Sequence, residues 1–153
     1  MTTLTKKFKK LTKKEIVERI AKKLKSENIE HTFTKDYVKV KFAKNAKNIQ
    51  DIHFEMYPTG HQLSLYIHIE STKPEVAHDK FFNLIAKNPQ LLNNNIYASK
   101  DQNSTIYELI TSIKELNQRK WYGIELFNIN IDDETSIDQV IGKLREYMEK
   151  IKH

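Results

Sequence analysis

The 153-residue chain contains no cysteine, which excludes disulfide bonds, thiol nucleophiles and thiolate metal sites together. Glycine is almost as scarce. A phosphate-binding loop needs several glycines close together so that backbone N–H groups converge on the anion. The three glycines of this chain, Gly60, Gly123 and Gly142, lie far apart. The sequence therefore excludes the P-loop and the dinucleotide-binding fingerprint.

Long apolar runs are also missing. No stretch approaches the ~18 apolar residues that cross a bilayer. The basic N-terminal residues are not followed by the apolar segment of a signal peptide. Because the lack of cysteine also fits a reducing compartment, we expect a cytoplasmic protein without a transmembrane segment.

The positive charge of the chain is concentrated at its N-terminal end. Residues 1–25 contain ten Lys or Arg and two Glu, whereas the other residues contain 16 basic and 18 acidic groups. A localised positive field attracts polyanions whatever fold lies behind it. We therefore expect residues 1–11 to form a flexible basic arm and residues 12–153 to form one domain. The expected partner is nucleic acid or an acidic protein surface.

The hydrophobic periodicity predicts a mixed fold. Apolar residues at helical spacing, with helix-capping residues before them, predict helices over 12–26, 73–88 and 136–151. Strict alternation of apolar and polar residues predicts antiparallel strands over 37–42, 52–57 and 63–70, with shorter strands near 29–34, 95–99 and 121–131. The spacing over 105–117 fits either a helix or a strand.

These elements predict the α+β class. We expect an antiparallel meander of about four strands plus one or two further strands, covered on one face by three or four helices. The single tryptophan, Trp121, is expected in the core, because a lone tryptophan usually anchors packing.

The polar face of the hairpin around residues 57–62 carries residues that could bind a metal or transfer a proton. Pairing Phe54 with Leu65 keeps the apolar side chains on one face, and it places His53 opposite Tyr66 on the other. Two His-x-Glu units then lie on neighbouring strands, where they could bind a divalent metal or exchange a proton. The metal-ligand candidates are His53, Glu55, His68, Glu70 and Asp51.

The simpler interpretation of this face is an ordinary solvated sheet surface. A flat surface lacks the concavity that excludes water from most reactions, so we expect no metal unless a neighbouring element covers it. The same face, extended by Tyr37, Lys39 and Lys41, also mixes basic and aromatic side chains as base-stacking sheets do.

No catalytic signature is present, so we expect a protein that is not an enzyme and needs no cofactor. The expected function is that of an accessory domain that binds nucleic acid through the basic arm and first helix. The alternative is a protein-interaction module, such as an adaptor, inhibitor, chaperone or immunity protein, that binds a protein partner through its sheet or a helix groove. A second copy of the chain, forming a homodimer, is one such partner. The residues assigned to nucleic-acid binding are Lys6, Lys7, Lys9, Lys10, Lys13, Lys14, Lys22, Lys23, Lys39 and Lys41.

Overall fold

The computed structural model describes residues 11–42, 52–71, 73–99, 108–110, 119–131 and 134–152. Within these ranges the chain forms three α-helices and one antiparallel sheet of seven strands, which confirms the predicted α+β class. The helices are α1 (Lys13–Ser26), α2 (Pro74–Lys87) and α3 (Glu134–Lys150), and a short 3₁₀-helix at Pro89–Asn93 follows α2. None of the described helices is both long and apolar enough to span a membrane.

The seven strands include the predicted meander and three further strands. They are β1 (His31–Phe33), β2 (Val38–Lys41), β3 (Ile52–Thr59), β4 (Gln62–Glu70), β5 (Ile96–Ser99), β6 (Glu108–Leu109) and β7 (Trp121–Asn130). Their order across the sheet is β1-β2-β3-β4-β7-β5-β6. The last strand in sequence therefore inserts beside β4, in the middle of the sheet.

The first helix shows how local sequence sets the boundaries. The Thr12 hydroxyl accepts a hydrogen bond from the Glu15 N–H, and the Glu15 carboxylate accepts one from the Thr12 N–H, which forms a capping box. The apolar face of the helix packs against the core, and its buried residues are Ile16, Val17, Ile20, Ala21 and Leu24. The predicted helix over 12–26 is confirmed to within a residue.

All three helices belong to one face of the sheet. Helix α1 contacts β1, β2 and β3, helix α2 contacts β4 and β7, and α3 packs beside α1. Beneath them lie the buried inward-facing residues of the strands, which are Val38, Val40, Phe54, Met56, Leu65, Ile67, Ile69, Tyr122 and Ile124. The predicted coverage of one face is therefore confirmed, and the opposite face is free of these helices.

The predicted pairing of β3 with β4 is wrong by two residues. His53 pairs with His68 and Phe54 pairs with Ile67, because both strands continue to a two-residue turn at Gly60 and His61. Gly60 has a φ of +60°, a conformation that suits such a tight turn. Since a slip of two residues preserves the alternation, every described side chain keeps its predicted face. Asp51 lies outside the described residues.

The ambiguous segment over 105–117 contains a strand. Glu108–Leu109 forms β6 and pairs with Tyr97 and Ala98 of β5, and the Ile110 N–H donates to the Ile96 carbonyl at 2.8 Å. These residues therefore form a strand, which is one of the two predicted alternatives. The rest of the segment lies outside the described residues.

Candidate metal centre

We call the face of the sheet opposite the helices the open face. It carries Lys39, His53, Glu55, Tyr57, Tyr66, His68, Glu70, Tyr97, Trp121 and Glu125. The prediction that this face is simply solvated is wrong at its centre. His53 is 0% exposed, and Glu55 and His68 are each 7% exposed. Charged and polar side chains are rarely buried this deeply unless they are paired or bind an ion.

Strand alternation and register bring three of these side chains together. His53 and His68 are direct cross-strand partners, with ring centroids 5.3 Å apart, and Glu55 lies two residues along β3 on the same face. Glu55 Oε1 is 3.5 Å from His53 Nε2, and Glu55 Oε2 is 3.3 Å from His68 Nδ1. One ligand atom from each residue lies within 4.8 Å of the others. We call these three residues the His-Glu-His cluster.

His53 is the unusual member of the His-Glu-His cluster. Among the described residues, neither of its ring nitrogens has a hydrogen-bond partner, although the side chain is completely buried. His53 Nε2 lies 3.5 Å from Glu55 Oε1, at the outer limit of a hydrogen bond, so this contact is weak. A buried polar group without a partner costs about 1–3 kcal/mol, and a bound ion is one of the few things that can satisfy it.

The electrostatics of the cluster favour the protonation states that metal ligands need. Burial lowers the pKa of His68 to about 3, even though the nearby Glu55 carboxylate acts to raise it. Burial also acts to raise the pKa of Glu55, but the contact with His53, the charge interactions with His68 and His53, and the smaller effect of Lys39 together lower that pKa. At neutral pH His68 is therefore neutral and Glu55 is ionised, as metal coordination requires.

Trp121 of β7 covers the cluster from the side. Its burial is confirmed, at 5% exposed, but its ring lies on the open face instead of beneath the helices. The ring centroid is 4.7 Å from that of His68, with the two planes nearly perpendicular. The ring also lies over Gly123, where an added Cβ would be 2.5 Å from Trp121 Cη2. The absence of a side chain at Gly123 therefore makes room for the tryptophan.

A cavity of about 470 Å³ opens beside the cluster. Its walls are formed by Glu55, Tyr57, Thr59, Tyr66, His68, Tyr97 and Trp121. The volume lies within the range of about 300–1,000 Å³ that is usual for small-molecule sites. The open face is therefore concave next to the cluster, and the objection that a flat surface offers no site does not apply.

Of the other two predicted metal candidates, Glu70 is not part of the cluster. Glu70 Oε1 lies 4.0 Å from Lys39 Nζ, so Glu70 forms an ion pair beside the cluster. Asp51 lies outside the described residues. Sequence analysis missed Tyr97 and Gly123, which reach the site only through the pairing of β7 with β4 and β5. The small residue two positions after the tryptophan, in Trp121-Tyr122-Gly123, is a signal that could have indicated the ring's position.

Most of the described lysines assigned to nucleic-acid binding have acidic neighbours. Lys23 pairs with Asp138 at 2.7 Å, and Lys41 pairs with Glu30 at 3.1 Å. The other ion pairs are Lys13 with Asp36, Lys14 with Glu18 and Lys39 with Glu70, at 3.5–4.0 Å. Lys22 is exposed on α1. Lys6, Lys7, Lys9 and Lys10 lie outside the described residues, so the role of the basic arm stays a prediction.

Two of the exposed apolar side chains among the described residues lie far from each other. Phe33 of β1 and Leu109 of β6 are both about half exposed, but they lie on strands at opposite edges of the sheet. These two side chains therefore do not form a common docking patch. The protein-interaction alternative also stays a prediction.

No protein-family model, curated protein or solved structure matches this chain.

Proposed function

We propose that this protein binds a divalent transition-metal ion through His53, Glu55 and His68, and zinc is the ion that we propose to test first. The observation that carries the proposal is the burial of two imidazoles and a carboxylate around one point, with both nitrogens of His53 unsatisfied among the described residues. Two histidines and one glutamate are the protein ligands of a common class of zinc site. This proposal departs from the expectation of a metal-free face, because that expectation assumed solvation.

The distances within the cluster suit a zinc ion. Donor atoms bound at about 2.0–2.2 Å in tetrahedral geometry lie about 3.3–3.6 Å from one another. The two Glu55 oxygens lie 3.5 Å from His53 Nε2 and 3.3 Å from His68 Nδ1. The three donor atoms all lie within 4.8 Å of one another, so the widest pair would have to approach by up to about 1.5 Å to surround a single ion.

The proposed centre has an open side. Three protein ligands leave a fourth position for water or another ligand, which is typical of sites that act on exogenous molecules and not of purely structural ones. Glu55 and His68 both line the cavity, whereas His53 lies behind them and is fully buried. The fourth position would therefore face the cavity, and a bound ion would act there as a Lewis acid.

Metal titration tests this proposal directly. Trp121 is the only tryptophan and lies against His68, so its fluorescence should report binding at the cluster. We expect a saturable change with zinc, one ion per chain by calorimetry, and quenching by Co²⁺ or Cu²⁺. Because each substitution removes a ligand, His53→Ala, Glu55→Gln and His68→Ala should each weaken zinc binding by about 100-fold or more.

The matched control is His61→Ala. This histidine lies at the exposed hairpin turn, and its loss should leave zinc affinity unchanged. Circular dichroism should show that each variant is folded. The proposal is wrong if zinc up to millimolar concentration gives no saturable signal, or if His61→Ala weakens binding as much as His68→Ala does.

A second candidate function is nucleic-acid binding by the N-terminal basic residues. It is favoured by the ten Lys or Arg against two Glu within residues 1–25. Clustered cations bind phosphates with little sequence preference, because the interaction releases counterions and reads no base.

This second function predicts a strong salt dependence. If about five cations contact duplex phosphates, the logarithm of the binding constant should fall with the logarithm of salt concentration at a slope of about −4 to −5. Changing Lys6, Lys7, Lys9 and Lys10 together to Gln should flatten this slope and leave thermal stability unchanged. A lack of measurable DNA or RNA binding at ~50 mM salt, where such contacts are strongest, would rule this function out.

A further inference from the structure

The cavity beside the His-Glu-His cluster has mainly aromatic walls. Tyr66 and Tyr97 lie edge to face with ring centroids 6.4 Å apart, and Tyr66 also packs against His68 at 5.6 Å. Tyr57 and Trp121 complete the aromatic lining. Flat aromatic walls bind planar rings by stacking, and stacking on a base contributes about 1–3 kcal/mol. The shape of the wall therefore favours a ligand with a planar ring.

The charge of the site depends on the metal. Without an ion, Glu55 is a buried anion at the cavity wall, and Glu125 lies nearby, where it accepts a hydrogen bond from the Tyr66 hydroxyl at 3.2 Å. A divalent ion reverses the sign at Glu55, because two positive charges meet one negative charge. The open coordination position then favours an anionic oxygen.

Two lysines add positive charge around the same site. Lys39 extends from β2 beside Glu55, where its charge acts on both Glu55 and His68, and it pairs with Glu70. Lys13 lies over the Tyr57 ring, with Nζ 4.4 Å from the ring centroid, and pairs with Asp36. The contact of Lys13 with Tyr57 places a cation at the rim of the aromatic cavity. The acids around the site are thus partly neutralised by neighbouring lysines.

The features that favour a planar ring and those that favour an anionic oxygen lie together in this one cavity. We propose that the cavity takes a nucleotide unit, with its base against the tyrosine walls and a phosphate oxygen at the open position of the metal. This inference rests on the metal centre proposed above. The cavity volume of about 470 Å³ is suited to a ligand of this class. The unit can come from a free mononucleotide or from the end of a single strand, since both present the same base and phosphate.

The test uses the full chain loaded with one equivalent of zinc. The probes are adenosine 5′-monophosphate, adenosine, which lacks the phosphate, and ribose 5-phosphate, which lacks the base. Binding is followed by calorimetry and by Trp121 fluorescence. We expect the monophosphate to bind at least tenfold more tightly than either fragment, and to lose at least tenfold in affinity when the zinc is removed by a chelator.

One variant and one control test whether the monophosphate binds in this cavity. Tyr97→Ala, measured at saturating zinc, should weaken monophosphate binding by about tenfold, because it removes one stacking wall. Tyr147→Ala is the control, since Tyr147 packs against Phe127 and is not part of the cavity wall. It should leave monophosphate affinity unchanged. Equal effects of the two substitutions would overturn the assignment of this cavity.

The outcomes separate this inference from the metal proposal. Zinc binding is measured first, without nucleotide. A protein that binds zinc and shows no preference for the monophosphate over ribose 5-phosphate or adenosine overturns the nucleotide inference alone. A protein that does not bind zinc overturns both. A short single-stranded oligonucleotide that binds more tightly than the monophosphate identifies a strand as the source, and one that binds equally or less tightly identifies the free nucleotide.

Discussion

Gly123→Ala is expected to lower the free energy of unfolding by about 1–3 kcal/mol, the usual cost of overpacking a filled interior. The added Cβ would lie 2.5 Å from Trp121 Cη2 and 3.1 Å from two further ring atoms. The tryptophan cannot move away easily, because its ring is buried and packed against His68. The same displacement should weaken zinc binding and shift the Trp121 emission.

Gly142→Ala is the matched control for this substitution. Gly142 lies on the exposed side of α3, and a Cβ there would meet no atom within 4 Å. Alanine should therefore raise the free energy of unfolding by about 0.5–1 kcal/mol, because glycine is unfavourable inside a helix. Chemical denaturation of both variants measures the difference. Similar stability changes in the two variants would show that the Trp121 ring does not lie against Gly123.

His53→Leu should have opposite effects on stability and on binding. In the metal-free protein, a leucine of similar size replaces a fully buried imidazole whose two nitrogens have no hydrogen-bond partner among the described residues. We expect the free energy of unfolding to rise by about 1 kcal/mol, since the cost of burying unsatisfied polar atoms exceeds the stabilisation that the 3.5 Å contact with His53 gives to the Glu55 carboxylate. Zinc binding should be lost at the same time.

Adding zinc should therefore make the native protein more stable than His53→Leu, which is the reverse of the order expected without metal. Zinc at about 1,000 times its dissociation constant should stabilise the native protein by about 4 kcal/mol and leave His53→Leu unchanged. His61→Leu, at the exposed turn, should alter neither stability nor metal binding. If His53→Leu destabilises the metal-free protein, then His53 is satisfied within the fold and its burial no longer argues for an ion.

The sequence identified the three cluster residues but misjudged their surroundings. Strand alternation is a local property, so it placed His53, Glu55 and His68 on one face before the pairing was known. Tyr66 and Trp121 both pack against His68, and Trp121 reaches His68 only because β7 inserts beside β4. No local pattern specifies which distant strand pairs with another.

The register of the central hairpin shows the same limit. Pairings that differ by two residues keep the same faces, so the apolar pattern cannot tell them apart. The turn decides between them, and Gly60 adopts the positive φ that allows a tight turn there. In the observed register, His53 and His68 are direct cross-strand partners.

The sequence by itself determined the features that depend on near neighbours. These are the capped helix α1, the alternation of β3 and β4, and the polar character of the open face. Only the tertiary structure decided that this face is concave, that Trp121 covers His68 above Gly123, and that three donor groups converge in a buried position. The physical reason is that helix caps and side-chain alternation come from bonds and contacts a few residues apart. The meeting of His53 and His68 comes from the register of β3 against β4, and the cover by Trp121 comes from strand pairing between residues more than fifty positions apart, such as His68 and Gly123.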